Sequence, residues 1–288
     1  MQPIRLIAMD MDGTLLTRID PTTACIPPEN ARVLRRCVSD GIHLALSSGR
    51  MPDDAAFYAS DAGLPMHVIG LNGGVITSGL GASPLQDEAL PPDIARRVLH
   101  IMLERGVDVA VFGPWEVVCM QPRPLSWARI VLGTWYGREG GRLVYRNAGE
   151  GVEPLLQHAG KIVALTDQDR DGLAAAKARV QAAFPDLSIS SSWWNNFEVN
   201  PAGVDKGSAL RRLAARLDIP MSQVMAIGDN DNDLPMLRTA GIGVAMGNAP
   251  EHVRAAADCI TLPNAQHGVA AAIRSLVFGE SVPGVQLR

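Results

Sequence analysis

The chain has 288 residues, 47% of them hydrophobic and 19% charged, with a formal net charge of −4. That is enough chain for one large domain or two modest ones, with the composition of an ordinary globular protein. The acidic balance supplies no excess of Lys and Arg for a nucleic acid or an anionic membrane, and no apolar stretch is long enough to cross a bilayer.

The first predicted element is a strand. IRLIAMD (4–10) is a short apolar run of the kind buried on both faces of a parallel sheet. PPENARVLRRCVSDG (27–41) has helical spacing, with prolines near its start and a glycine at its stop. IHLALSS (42–48) predicts a second strand, PDDAAFYASDAG (52–63) a second helix and MHVIG (66–70) a third strand. NGG (72–74) is a hairpin or tight-turn signal ahead of VIT. The alternation predicts right-handed βαβ units, and so an α/β fold on a doubly wound parallel, Rossmann-like sheet.

The middle of the chain has another character. All five tryptophans, Trp115, Trp127, Trp135, Trp193 and Trp194, fall there. Helices are predicted at PPDIARRVLHIMLERG (91–106) and DRDGLAAAKARVQAAF (169–184), with strand-like runs VDVAVF, EVVCM, KIVALT and LSISSSWW. The expectation is an inserted α+β cap over 84–195, with the catalytic core made from 1–83 and 196–288. The core rhythm then resumes: KGSALRRLAARLD (206–218) as helix, VMAIGD (224–229) as strand, LPMLRTAG (234–241) as a short helix, GIGVAMG (241–247) as strand and turn. PEHVRAAAD, CITL and AQHGVAAAIRSLVF follow as helix, strand and helix, and SVPGVQLR is expected to be a loose tail. Cys25, Cys37, Cys119 and Cys259 lie far apart and form no C-x-x-C pair, as reduced thiols of a cytoplasmic protein would. The N-terminus shows no basic segment followed by an apolar one, so no leader is expected.

In open α/β sheets, ligands collect outside the carboxyl ends of the strands. Asp10, Ser47-Ser48 and Asp229 all sit at such ends. In extended chain Asp10 and Asp12 point the same way, about 6–7 Å apart. Their repulsion would raise one pKa unless a cation sits between them, and Mg²⁺ suits oxygen ligands of this kind. A Ca²⁺ loop would need further oxygen ligands, whereas Leu15 and Leu16 follow Asp12-Gly13-Thr14 at once. GDNDND (228–233) brings Asp229, Asn232 and Asp233 to a helix start, more polar groups than a cap requires. Lys206 opens a helix, where the macrodipole disfavours a cation unless an anionic site faces it. At LALSSGR (44–50), a serine hydroxyl and the Gly49 peptide N–H can bind a phosphate oxygen; Ser48 and Ser47 compete for that role. Arg50 can bind an anion or pair with a carboxylate. His43, His100 and His158 stand beside no candidate nucleophile, and GIGVAMG lacks the G-x-G-x-x-G spacing.

The set DMDGT, S-S-G-R, the lysine of VDKG and GDNDND resembles the haloacid dehalogenase superfamily of phosphohydrolases. Order and spacing are most similar to the Cof-type branch, whose α/β cap lies between the second and third motifs. NGG and FEVNPAGVDKG also resemble that branch, which often has Thr where Ser48 stands. The resemblance implies a Mg²⁺-dependent phosphatase of small phosphorylated metabolites, such as sugar phosphates. Asp10 would be the nucleophile that becomes an aspartyl-phosphate, and Asp12 the general acid and base. Mg²⁺ would bridge Asp10 and the phosphate, held further by Asp229 and the backbone carbonyl of Asp12, with Asp233 supporting from behind. Asp10, Asp12, Asp229 and Asp233 thus form the expected metal set. Ser48 and Lys206 would hold phosphate oxygens, Asn232 would touch the phosphoryl group, and Gly49, Arg50, Asn72 and Gly73 complete the expected substrate-binding set. The cap tryptophans are expected to fill the cap's own core rather than stack on substrate. Phosphotransfer to another sugar, as phosphotransferase or phosphomutase, is the alternative outcome. A phospho-aspartate receiver is disfavoured, because it has no use for Asp12. The expected protein is a monomer or homodimer.

Overall fold

The computed structural model of the chain describes residues 2–16, 24–120, 144–147, 151–192 and 194–288. Its strands are β1 Leu6–Met9, β2 His43–Ser47, β3 His67–Gly70, β4 Val75–Thr77, β5 Pro84–Asp87, β6 Asp108–Phe112, β7 Glu116–Cys119, β8 Val144–Asn147, β9 Lys161–Leu165, β10 Ser188–Ser190, β11 Asn196–Asn200, β12 Val224–Gly228, β13 Ile242–Ala245, β14 Cys259–Ile260 and β15 Gln286–Leu287. Among the described residues they form two sheets. The larger has the order β15-β14-β13-β12-β1-β2-β3-β4-β5 and the smaller β10-β11-β9-β6-β7-β8. From β14 to β3 the large sheet is parallel, as the βαβ rhythm requires. β4, β5 and β15 add antiparallel edges.

Alternation along β1 explains why the large sheet is covered on both faces. Ile7 and Met9 pack with the helices Pro28–Ser39, Pro52–Asp61 and Gly268–Leu276 on one side. Leu6 and Ala8 pack on the other with Leu210 and Leu213 of the helix Lys206–Arg216, Leu237 of Leu234–Thr239 and Val253 of Glu251–Ala255. The small sheet follows the same period of two. Val109, Val111, Ile162, Ala164, Phe197 and Val199 turn towards the helices Pro92–Leu103 and Arg170–Ala183. Their neighbours Ala110, Phe112, Val163 and Leu165 turn the other way and meet Met51, Leu71 and Val75 of the large-sheet layer. The centre of the seam between the layers is therefore apolar.

Two sequence expectations change here and one holds. The borders at 83/84 and 195/196 are not where the sheets change over: β5 keeps residues 84–87 in the large sheet, and β11 keeps 196–200 in the small one. The reason is pairing, since Val75 to Thr77 bond β5 while Asn196 to Val199 face β9. The expected loose tail is tied down: Gln286 and Leu287 pair antiparallel with Ile260 and Cys259. NGG does make a hairpin, as expected, with β3 and β4 antiparallel around it.

Candidate active site

Three of the parallel strands, β1, β2 and β12, end at one cavity of about 560 Å³, lined among others by Asp10, Asp12, Gly13, Ser48, Gly49, Arg50, Asp229 and Asn232. β1 delivers Asp10, whose backbone N–H donates to the Ile227 carbonyl of β12 at 2.9 Å. The chain must then turn sharply, and Gly13 makes this possible. Its φ is +86°, and a Cβ on it would lie 2.4 Å from Asp229 Oδ2. Thr14 Oγ1 donates to Asp229 Oδ1 at 2.7 Å, fixing the second carboxylate against the first strand end.

Three carboxylates, Asp10, Asp229 and Asp233, each bring an oxygen within 4.8 Å of the others. Lys206, fully buried, donates to Asp10 Oδ1 and Asp233 Oδ1, both at 2.6 Å. Asp205 caps its helix, accepting from the Ser208 N–H at 2.6 Å, which sets where Lys206 begins. Asp233 Oδ2 accepts from the Asp229 and Asn230 N–H groups at 2.9 and 3.0 Å, so Asp233 braces the loop from behind. Burial first, then Asp233, holds the Asp10 carboxyl well above its ordinary pKa, with Lys206 pulling the other way. Asp229 is pushed up to about 7, by burial and then by Asp233, against the Thr14 hydrogen bond. Lys206 would be lowered by burial, but Asp10 and Asp233 outweigh it and raise its pKa.

Asp12 lines the same cavity, yet its carboxylate lies outside the three-carboxylate group. It is gripped by Arg50, whose Nε and Nη2 each donate at 2.7 Å, while Nη1 donates to Asp54 at 3.0 Å. Of the two roles open to Arg50 in the sequence, the structure therefore shows carboxylate pairing. Ser48 lines the cavity; Ser47 Oγ is buried without a hydrogen-bond partner among the described residues. Asn72 and Gly73, expected on the substrate side, are not in the lining. Gly73 packs so tightly on the Asp205 carbonyl that a Cβ would sit 2.3 Å from it. Asn72 stands behind Asn232, accepting from Asn232 Nδ2 at 3.3 Å and donating to Glu198 at 2.7 Å.

The roof comes from the small sheet, and motif reading missed it. Lys161 of β9, nearly fully buried, donates to the Gly49 carbonyl at 2.6 Å and to Glu198 Oε2 at 2.8 Å. Burial alone would raise the Glu198 pKa; Lys161 outweighs it and the pKa is lowered. Asn200 donates to the Leu71 and Gly160 carbonyls at 2.8 and 3.1 Å, and Asn230 to the Ser192 carbonyl at 2.9 Å. These bonds tie the two layers together beside the cavity. Trp194 is exposed at the cavity wall, not packed in the cap core. Trp127, Trp135 and Trp193 lie outside the described residues.

A sequence model of haloacid dehalogenase-like hydrolases matches residues 7–273. The chain belongs to that family. The phosphatase YwpJ of Bacillus subtilis (strain 168) is 31% identical to this hydrolase over 290 residues, 95% of this chain and 100% of its own. The HMP-PP phosphatase of Serratia proteamaculans (strain 568) is 33% identical over 247 residues, 85% of this chain and 84% of its own. A solved haloacid dehalogenase-like hydrolase from B. subtilis has a TM-score of 0.81 at 28% identity, covering 95% of this chain and 100% of that one. With these relatives, the hydrolase is a phosphatase, an enzyme that cleaves phosphoric monoesters. Among the described residues no helix is long and apolar enough to cross a membrane.

Proposed function

We propose that the protein is a Mg²⁺-dependent phosphatase of small phosphorylated metabolites with sugar-like leaving groups, working through phosphoryl-Asp10. The gathering of Asp10, Asp229 and Asp233 within 4.8 Å carries this reading. It is an all-oxygen donor set of the kind a small hard dication takes, and the raised pKa values of Asp10 and Asp229 mark charge that a dication would relieve. Asp10 and Asp229 would hold Mg²⁺, with Asp233 behind them. Bound there, it would neutralise the phosphate and the Asp10 carboxylate as they approach each other.

Asp10 attacks phosphorus and the alcohol leaves, taking a proton from Asp12. Asp12 then takes a proton from water, which attacks the acyl phosphate, releases inorganic phosphate and restores Asp10. Arg50 keeps the Asp12 carboxylate aimed across the cavity through its two 2.7 Å bonds. Ser48, the Gly49 N–H, Asn232 and Lys206 hold the phosphoryl oxygens and spread the charge of the transition state.

The test is a panel of phosphorylated sugars, polyols and coenzymes assayed with Mg²⁺ and with chelator. Inorganic phosphate is the expected product, lost on chelation. A stable phosphoprotein without phosphate release, or transfer to a second sugar, would overturn the hydrolytic reading.

Metal removal has a pH signature. Asp229 has its folded pKa, about 7, above the ordinary unfolded carboxylate value. Between those two values the folded protein binds more protons than the unfolded chain, so stability from this group is present below the unfolded pKa and is lost as pH rises through about 7. Chelator-treated protein is expected to melt at a lower temperature at pH 8 than at pH 6. Saturating Mg²⁺ should raise Tm more at pH 8 than at pH 6, because it binds the ionised carboxylates. Melting curves at both pH values check this, and an equal Mg²⁺ increment at both would contradict it.

A further inference from the structure

Ser48, Gly49 and Arg50 follow β2 as irregular backbone, so their carbonyls need partners outside the parallel ladder. Each finds one. The Ser48 carbonyl accepts from the Asn72 N–H at 3.0 Å, and the Arg50 carbonyl from the Leu71 N–H at 2.9 Å. Both donors belong to the turn between β3 and β4, in the large-sheet layer. The middle carbonyl, of Gly49, accepts from Lys161 Nζ at 2.6 Å, across the seam.

That ammonium is held from the small-sheet side as well. Pairing of β6 with β9 sets Phe112 beside Lys161, with Nζ 4.9 Å from the ring centroid. Glu198 pairs with Val163, two residues from Lys161 on the same face, and accepts from Nζ at 2.8 Å. Glu198 is itself fixed by donation from Asn72 at 2.7 Å and from Ser192. Lys161 and Glu198 are both nearly fully buried. Gly49 lies directly against this cluster: a Cβ on it would be 3.1 Å from Asn72 Oδ1, 3.5 Å from Glu198 Oε2 and 3.6 Å from Lys161 Nζ.

The Gly49 carbonyl and the Arg50 N–H are opposite ends of one planar peptide. At the end away from Lys161, that N–H donates to Ser48 Oγ at 3.2 Å. Lys161 therefore fixes the plane against which the Ser48 hydroxyl rests, and its charge on the carbonyl strengthens the N–H as a donor. A hydroxyl that accepts in this way has its own proton left to give, and Ser48 lines the cavity.

We propose that Lys161, contributed by the small sheet, is a positioning residue for the phosphoryl group: it acts through the Gly49–Arg50 peptide to aim the Ser48 hydroxyl. This rests on the reading of Ser48 as a phosphoryl ligand given above.

The test is calorimetric binding of orthovanadate with Mg²⁺, which reads the hold on a phosphate-like oxyanion without turnover. Lys161→Met alone strands the Glu198 carboxylate and can fail to fold. The variant is therefore the pair Lys161→Met/Glu198→Gln, which removes both charges and keeps an acceptor for Asn72. Ser48→Ala is expected to weaken vanadate about tenfold or more, the size of a hydrogen bond to a charged group. The pair variant should weaken it by a comparable factor. Combined with Ser48→Ala, the pair should cost less than about threefold further, since a residue that acts through another adds little once that other is gone. In turnover the pair variant is expected to lose kcat with KM within about threefold, because the Ser48 bond strengthens as charge builds on the phosphoryl oxygens. Unchanged vanadate binding in either Ser48→Ala or the pair variant, a loss carried by KM alone, or losses that multiply would overturn the proposal. Multiplying losses would mean that Lys161 touches the anion itself or only supports the fold. Failure of the phosphatase reading shows separately, as wild-type protein that binds vanadate but releases no phosphate, and the coupling of Lys161 to Ser48 is still read from binding.

Discussion

Asp10→Asn protein is expected to lose turnover by at least about 10⁴-fold and to keep its fold. The first half follows from the proposed chemistry. An amide oxygen is a poor nucleophile towards phosphorus, and the neighbouring carboxylates among the described residues are otherwise engaged: Asp12 by Arg50, both oxygens of Asp233 by Lys206 and the Asp229 N–H, and Asp229 by Thr14. The second half follows from electrostatics. Asp10 is buried near Asp233 and Asp229, so its charge is disfavoured in the metal-free protein. Asparagine has nearly the same shape and removes that charge, while Lys206 keeps Asp233 as partner. Metal-free Asp10→Asn protein should therefore melt no lower than wild type at pH 7.5. Phosphate release and melting temperature, measured on one preparation, check both halves. Substantial residual turnover would reject Asp10 as nucleophile, and a large fall in Tm would show that burial of this carboxylate is better compensated than its surroundings suggest. Asp12→Asn should differ in kind, slowing both phosphorylation of Asp10 and its hydrolysis, which rapid-quench kinetics separate.

The core was legible because its signals are local. β1 and β12 are continuous apolar runs, the pattern of strands in a sheet covered on both faces, and each is followed by an aspartate. From that pattern alone Asp10 and Asp229 could be placed at one rim. Lys206 was legible for a related reason: a lysine at a helix start implies an anionic site, and Asp10 and Asp233 are that site.

What stayed hidden depends on pairing between distant segments. NFEVN alternates, but nothing in five residues says that Phe197 and Val199 belong to the cap core while Glu198 and Asn200 face the seam. Hence the border was expected just before β11 when the small sheet runs through it. Lys161 looked like the polar start of an apolar strand. Only the register of β9 against β11 brings it to Glu198, and only the docking of the two layers brings it to the Gly49 carbonyl. The same limit applies to Arg50, whose choice between anion and carboxylate was decided by Asp12, 38 positions away in the chain. Trp194 was misjudged because an aromatic residue in a small module is more often core. A signal was available in its surroundings, SSSWWNN, a polar stretch unlike the apolar runs that feed a core.

Lys206→Met carries the largest expected loss of stability. The ammonium is fully buried and bridges two carboxylates at 2.6 Å each, one of which, Asp233, is also fully buried. Methionine fills much of the same volume but leaves Asp10 and Asp233 facing each other without their cation. Removing one partner from a buried ion pair costs about 3–5 kcal/mol, a fifth or more of the stability of a typical domain. Because the lysine pKa is raised in the folded protein, its contribution is complete below the ordinary lysine value, so the loss is felt across the whole neutral range. The variant adds a pH dependence of its own. With the cation gone, protonation is the remaining way to relieve the two carboxylates, so the destabilisation should be smaller at pH 5 than at pH 8. Mg²⁺ should recover part of the stability, since it supplies charge to Asp10, but little of the activity, if Lys206, fully buried and outside the cavity lining, acts as the proposed donor to the phosphoryl group. A fall in kcat/KM of at least about 10³-fold is expected at saturating Mg²⁺. Lys206→Arg should rescue neither property, because a planar five-donor fork does not fit a slot shaped for a compact ammonium. Urea unfolding at pH 5 and pH 8, with and without Mg²⁺, reads all of this. A Lys206→Met protein as stable as wild type at pH 8 would mean that Asp10 and Asp233 do not depend on a shared buried cation, and the electrostatic account of the site would fall with it.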